Sequence, residues 1–313
     1  MPRHRPLAVV LTAFAVLAPL AVAAGAVTAG AEQPIVPTSQ GTNQGTGLHA
    51  GHGAAPATGG GSNPPATFVR DGGGSFNTTC RFSHARPDDP IVNPGQFGAS
   101  HQHLFFGSRV TDADTTYAEA RRGGTTCDEK GDTAGYWIPE LRVNGRAVAP
   151  SKIRPYYYGQ AATGVKLHAF PADLRIVAGD RNATSPQNQN TTKWICRPIS
   201  NQAEADDTRI PGEPACPASA YLSLGIRFPD CWDGRNLDSP DHKRHMAYSS
   251  AQRRCPTSHP VKLPRLRLSI TWKTSGGTTA VTLSSGSRFG MHGDFWNTWD
   301  QSVLERKVAG LGK

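Results

Sequence analysis

Apolar and polar positions alternate most cleanly over residues 266–272, where Leu266, Leu268, Ile270 and Trp272 are separated by Arg267, Ser269 and Thr271. A period of two sends successive side chains to opposite faces, which predicts a strand with one face in a core. Shorter β-prone runs bounded by Gly and Pro occur at residues 135–143, 153–158, 165–169, 174–178, 194–196, 221–228 and 279–283. Stripes at a period of 3.6 are scarce. Only residues 116–122 and 300–309 predict short helices, the second with Asp300 placed to cap it. The pattern as a whole predicts an all-β fold, an antiparallel β-sandwich or jelly roll with long loops.

The N-terminus follows a different pattern. A basic start (Arg3, Arg5) leads into residues 7–24 without a charge, a run broken by Pro19 and ending in small residues. It reads as an export signal rather than a membrane anchor, which would need about 20 apolar residues. Cleavage fits after Ala23 or after Ala31, and residues 1–31 are assigned to the signal. Residues 32–66 are Gly, Thr, Pro, Ala, Gln and Asn with few large apolar side chains, so an unstructured linker is expected there. One globular domain, residues 67–313, follows. The expected location is outside the cell or on its wall, with no integral membrane segment once the signal is removed.

Cysteine usage agrees with that address. Cys80, Cys127, Cys196, Cys216, Cys231 and Cys255 all fall in the domain, and no CxxC pair suggests a zinc knuckle. Six cysteines allow about 15 pairings, of which the sequential one is the simplest. The formal charge of +9 suits anionic polymers, but the basic residues are scattered and not interleaved with aromatics. A nucleic-acid partner is therefore not expected.

Candidate chemistry centres on histidine. His101 and His103 are two residues apart, so on a strand both would face one way, as a pair of metal ligands or an acid/base pair would need. Residues 230–245 add Asp233, Asp241, His242 and His245, and residues 291–300 add His292, Asp294, Trp296 and Trp299. Carboxylates beside aromatic rings are typical of a sugar cleft, because pyranose faces stack while hydroxyls pair with polar groups. Candidate catalytic groups are His101, His103, Asp233, Asp241, His245, His292 and Asp294. Candidate sugar contacts are Trp232, Trp296, Tyr136 and Trp137, and candidate metal ligands are His101, His103 and His242. Signatures of serine hydrolases, zincins, P-loops and dinucleotide folds are absent.

Asp89-Pro90-Ile91-Val92-Asn93-Pro94-Gly95, running into Ser100-His101-Gln102-His103-Leu104-Phe105-Phe106-Gly107, resembles the opening of a secreted bacterial and fungal family. That family is catalogued as domain of unknown function nineteen-ninety-six. Blocks at residues 136–139, 156–157, 170–179, 228–234, 242–248, 255–261 and 292–295 extend the likeness over nearly the whole domain. The resemblance implies an extracytoplasmic protein whose fungal relatives often carry wall-sensing or carbohydrate-binding modules. It names no reaction. Three readings stay open: a hydrolase or lyase on a polysaccharide or cell-wall polymer, a non-catalytic glycan-binding module, and a metal-binding protein using the histidine cluster. A divalent metal suits the first and the last.

Overall fold

The computed structural model describes residues 74–150, 152–200, 208–210, 214–274 and 280–311, all within the unit Pro64–Lys313. The expected signal and linker, residues 1–31 and 32–66, lie outside the described residues. The strands in chain order begin with β1 (Ser75–Asn77), β2 (Cys80–Arg86), β3 (His103–Gly107), β4 (Gly135–Pro139), β5 (Leu141–Val143) and β6 (Arg146–Val148). Next come β7 (Lys152–Tyr158), β8 (Arg175–Gly179), β9 (Thr192–Pro198), β10 (Thr208–Ile210), β11 (Ala220–Arg227) and β12 (Cys231–Trp232). The last are β13 (Met246–Ala247), β14 (Val261–Lys262), β15 (Arg265–Trp272), β16 (Val281–Leu283) and β17 (His292–Trp296). All pairings are antiparallel. One large sheet runs β10-β9-β11-β15-β7-β2-β3-β4-β17-β8, with β1 alongside β7, and two three-stranded sheets, β13-β12-β14 and β16-β5-β6, flank it.

The large sheet curls until its two halves face each other. Ile226 of β11 packs so closely on Gly293 of β17 that a Cβ there would lie 2.9 Å from its Cδ1. The rings of Phe228 and Phe295 meet at 6.3 Å. Between the halves lies the main core, into which Leu266, Leu268, Ile270 and Trp272 project, as their alternation requires. The sandwich-like all-β architecture expected from the sequence is thus the observed one. Among the described residues no helix is long and apolar enough to cross a membrane.

Among the described residues there are two short helices. Helix α1 (Tyr117–Arg122) opens with a reciprocal cap, in which Glu119 N–H donates to Thr116 Oγ1 and Thr116 N–H donates to Glu119 Oε2. Helix α2 (Gln301–Ala309) is capped by Asp300, which accepts from the N–H groups of Ser302 and Val303. The disulfides are sequential, Cys80–Cys127, Cys196–Cys216 and Cys231–Cys255, each closing a surface excursion onto a strand. Residues 165–169, expected as a strand, form a loop. After the turn closed by Val165 N–H on Ala162 O, with Gly164 at φ +78°, His168 N–H donates to Lys262 O of β14 at 2.9 Å, a single bond that does not extend into a ladder.

Two buried carboxylates brace the interior in different ways. Asp230 sits among Lys262, which donates to it, Arg227 at 3.6 Å and Arg265 at 3.5 Å. Burial, the largest single influence, would raise its pKa, but Lys262, the Ser249 N–H and Arg227 together outweigh it and hold the carboxyl below the usual carboxylate range. Asp230→Asn strands the fully buried Lys262 ammonium, so a loss of about 3–5 kcal/mol is expected in urea unfolding, and a loss under about 1 kcal/mol would contradict this account.

Asp132 instead meets hydroxyls. Tyr136 Oη lies 3.0 Å from both carboxyl oxygens, Thr78 Oγ1 donates at 2.7 Å, and the Tyr136 and Tyr157 hydroxyls meet at 2.5 Å. Burial pushes its pKa up to about 7. The folded chain therefore keeps this proton up to about pH 7, whereas the unfolded chain releases it near the ordinary value of about 4. Its contribution to stability falls as pH rises between those values and is constant above them. Relative to Asp132→Asn, the native chain should lose stability from about pH 4.5 to pH 7.5 in urea melts. Parallel profiles for the two proteins would show that Asp132 does not hold its proton.

Candidate metal centre

Strands β3, β4, β17 and β8 are neighbours, and the period of two divides their side chains between two faces. Leu104, Phe106, Tyr136, Ile138, Ile176 and Phe295 enter the main core. The opposite face carries a rung of His84, Phe105, Trp137, Asp294 and Val177 in register. The next rung holds Arg86, His103 and Pro139, and His292, paired with Gly179, falls on the same level. This outer face is also covered. Ile91 and Ala120 pack with Phe105, Trp137 and Trp296 in a second, smaller core, bringing residues 87–100 and α1 over it.

Three imidazoles converge beneath that cover. His101 Nε2 and His292 Nε2 are 3.0 Å apart, and His103 Nε2 and His292 Nε2 are 3.4 Å apart. His103 Nδ1 lies 2.8 Å from the carbonyl of Asp88, and His292 Nδ1 lies 2.8 Å from that of Gly290. A carbonyl only accepts, so Nδ1 carries the proton in both rings and the Nε2 lone pairs point at each other. Burial holds all three rings in the neutral form: it lowers the pKa of His103 well below the usual value, of His292 to about 3 and of His101 to about 4.

Two carboxyl groups adjoin the imidazoles. Asp294 is fully buried, and neither of its oxygens has a hydrogen-bond partner. Asp89 is buried beside it, its Oδ1 accepting from the N–H groups of Ile91 and Val92 at 3.0 Å. Burial raises both pKa values, and for Asp294 the Asp89 charge adds to the effect. Ligand-type atoms of His101, His103 and His292 all lie within 4.8 Å of one another, and so do those of Asp89, His103 and Asp294. A third group of this kind, Cys80, Cys127 and Asp132, offers no thiolate because its sulfurs form a disulfide. Arg181 and Lys243 bring positive charge to the rim, acting on His292 and Asp294, and Lys243 Nζ donates to Gly179 O at 2.7 Å.

Of the residues singled out from the sequence, His101, His103, His292 and Asp294 are brought together. The others are placed elsewhere. His242, expected as the third ligand, has its Nδ1 2.9 Å from Asp238 Oδ2, and His292 occupies the place beside His101 and His103. His245 is buried and bridges Ser239 Oγ and the Arg175 carbonyl. Asp233 accepts from the N–H groups of Arg235 and Asn236, and Asp241 from those of Lys243 and Arg244, so both carboxylates fasten turns. Trp232 donates to Asn236 O. Trp296 is buried, donates to Asp173 and packs under Arg175, which leaves no face for a sugar. Tyr136 and Trp137 are fully buried, one in each core.

Other residues at the site did not stand out in the sequence. Asp89 carried a signal in its Asp-Pro turn, whose following N–H groups it caps. Lys243 and Tyr248 fell in the block 242–248 that carries the family resemblance but were not singled out for chemistry, and Arg181 carried no signal. Tyr248 is 39% exposed and lines a cleft of about 220 Å³ with Val177, Gly179, Thr191, Lys243 and Met246. None of the three imidazoles lines this cleft; its wall includes Gly179, the register partner of His292. Gly179 has φ +85°, and an added Cβ would lie 2.3 Å from Met291 O and 2.9 Å from His292 Cα. Gly179→Ala should therefore push β8 off β17 and cost about 1–3 kcal/mol in denaturant unfolding. An unchanged midpoint would mean that the two strands are not held this closely.

Neither a curated protein nor a solved structure matches the chain. The model of the family Domain of unknown function (DUF1996) matches residues 89–299, a span that takes in both carboxyl groups and all three imidazoles, and the chain belongs to that family.

Proposed function

We propose that this is an exported, wall-associated or secreted enzyme, a metal-dependent hydrolase or lyase acting on a polysaccharide or other cell-wall polymer. The observation that carries this reading is the convergence of three neutral imidazoles whose Nε2 atoms stand 3.0 and 3.4 Å apart. Nitrogens sharing a tetrahedral ion at about 2.0–2.1 Å are about 3.3 Å from each other. Backbone carbonyls already occupy Nδ1 of His103 and His292, the outer-shell arrangement that turns Nε2 into a ligand. Three protein ligands leave one position for water or substrate, as catalytic rather than structural zinc sites do. An ion there would polarise a substrate oxygen and lower the pKa of its bound water towards about 7.

The substrate reading draws on the surroundings. Arg181 and Lys243 favour a polymer bearing anionic groups. Tyr248, held from one side by the Arg227 guanidinium at 5.4 Å, offers an exposed ring to a sugar. That same exposed ring favours a second reading, a glycan-binding module without turnover. Export is supported by the apolar N-terminal run and by three disulfides, which persist in oxidising compartments.

The test combines metal titration with a screen of wall polysaccharides for new reducing ends or unsaturated products. Zinc should bind tightly, and His292→Ala should weaken it at least about 100-fold, since losing even an outer-shell partner costs about 10–100-fold. Product release should stop in EDTA and return with metal. Retention of wall material without product, unaffected by EDTA, would replace the enzyme with the module.

A further inference from the structure

We infer that the outer face of the sheet holds a second divalent cation, bound by Asp89 and Asp294 beside the ion assigned to the three imidazoles. This rests on the metal reading above and extends it to a two-ion centre. The first observation is the state of Asp294. Its carboxyl group is wholly buried and both oxygens lack any hydrogen-bond partner. Buried carboxylates in proteins are paired, hydrogen-bonded or bound to a metal. Elsewhere in this chain that rule is obeyed, by Lys262 at Asp230 and by the hydroxyls around Asp132.

The second observation is geometric. Asp89, His103 and Asp294 close within 4.8 Å, as do His101, His103 and His292, but the two trios share only His103 and do not merge into one set of that span. Ligand atoms on one ion, at about 2.0–2.2 Å from it, are at most about 4.4 Å apart. One ion therefore does not serve both sets. His103 has a single free lone pair, because its Nδ1 is spent on Asp88 O, and that lone pair faces His292. The carboxylates are left as a separate oxygen pole. Asp89 has an oxygen to spare, since Ile91 and Val92 bond to its Oδ1, and its carboxyl lies within 4.8 Å of that of Asp294. Two carboxylates completed by water form a ligand set for a hard ion such as Mg²⁺ or Mn²⁺. Paired ions about 3.5–4 Å apart commonly clamp the attacking and leaving oxygens in hydrolysis, which makes the hydrolase the better half of the proposed function.

Manganese is the probe, because it accepts both nitrogen and oxygen ligands. The chain is stripped with EDTA, reloaded with Mn²⁺, freed of excess by gel filtration and counted by elemental analysis. The expected result is two Mn²⁺ per chain, falling to one in Asp294→Asn and to one in His101→Ala. Near-UV circular dichroism checks that each variant is folded, and Asp89→Asn stands in if Asp294→Asn is not. One ion per chain in both the native protein and Asp294→Asn overturns the second site and leaves the imidazole site standing; the two carboxyl groups then share a proton. One ion that is lost with Asp294→Asn also overturns it, placing the single metal on the carboxylates. No retained ion overturns both sites.

Discussion

The site depends on one constraint: β3, β4 and β17 are buried on both faces. A strand in a two-layer sandwich ordinarily leaves one face to water, and polar side chains there need no partner. Here residues 87–100 close over that face, with Ser100 N–H bonded to Pro87 O and Gly98 N–H bonded to Asp88 Oδ1. His103, His292 and Asp294 are therefore withdrawn from solvent while still presenting polar atoms. The cover also does chemical work. Asp88, in this loop, supplies the carbonyl that fixes the tautomer of His103, and Asp89 supplies a carboxylate. The segment that dries the imidazoles also decides which of their nitrogens can act.

The same double burial explains which parts of the fold were legible in the sequence. Strand β15 was plain because its two faces differ in chemistry, Leu266, Leu268, Ile270 and Trp272 against Arg267, Ser269 and Thr271, although Arg267 and Ser269 are buried as well, and the cap at Asp300 depends only on local chemistry. Strands β3 and β17 read His-Leu-Phe-Phe-Gly and His-Gly-Asp-Phe-Trp, and all five positions of each are buried, so period two is not expressed as polarity. Residues 165–169 failed in the opposite sense. They have the composition of a strand, but after a Gly turn they meet β14 through one backbone bond, His168 N–H to Lys262 O, and no local pattern records whether such a contact grows into a ladder.

For the site, sequence spacing identified the pair His101 and His103, because two ligands from one element lie near each other however the rest folds. Their partner comes from about 190 residues later, and density along the chain was a poor guide to it. Residues 233–245 are the richest in Asp and His, yet Asp233, Asp241 and His242 are engaged by nearby groups of their own loop, and His245 ties that loop to β8. Short polar side chains in an irregular loop commonly fold back on adjacent N–H groups, which makes a cluster in sequence a sign of turns as often as of chemistry. Aromatic content misled for a related reason. Trp296 and Trp137 are large enough to be core residues, and composition does not distinguish a ring stacked on a sugar from one packed against Arg175 or Phe105.

Comparison of the buried carboxylates gives the site its meaning. Asp230 is balanced by cations, and Asp132 by hydroxyl donors and its own proton. Both solutions use groups of the chain itself. Asp294 has neither, and Trp137, beside it in register, also leaves its indole Nε1 without a partner. One rung away, the His103 and His292 lone pairs face each other with their own protons directed outward to carbonyls. A lone-pair deficit of donors and a carboxylate deficit of donors thus meet on one covered patch. A packing error of the sheet would leave unpaired donors and acceptors in mixture. What converges here is mostly acceptors, the His103 and His292 lone pairs and both Asp294 oxygens, with the Trp137 indole N–H as a donor beside them, and a small cation would satisfy several of those acceptors at once.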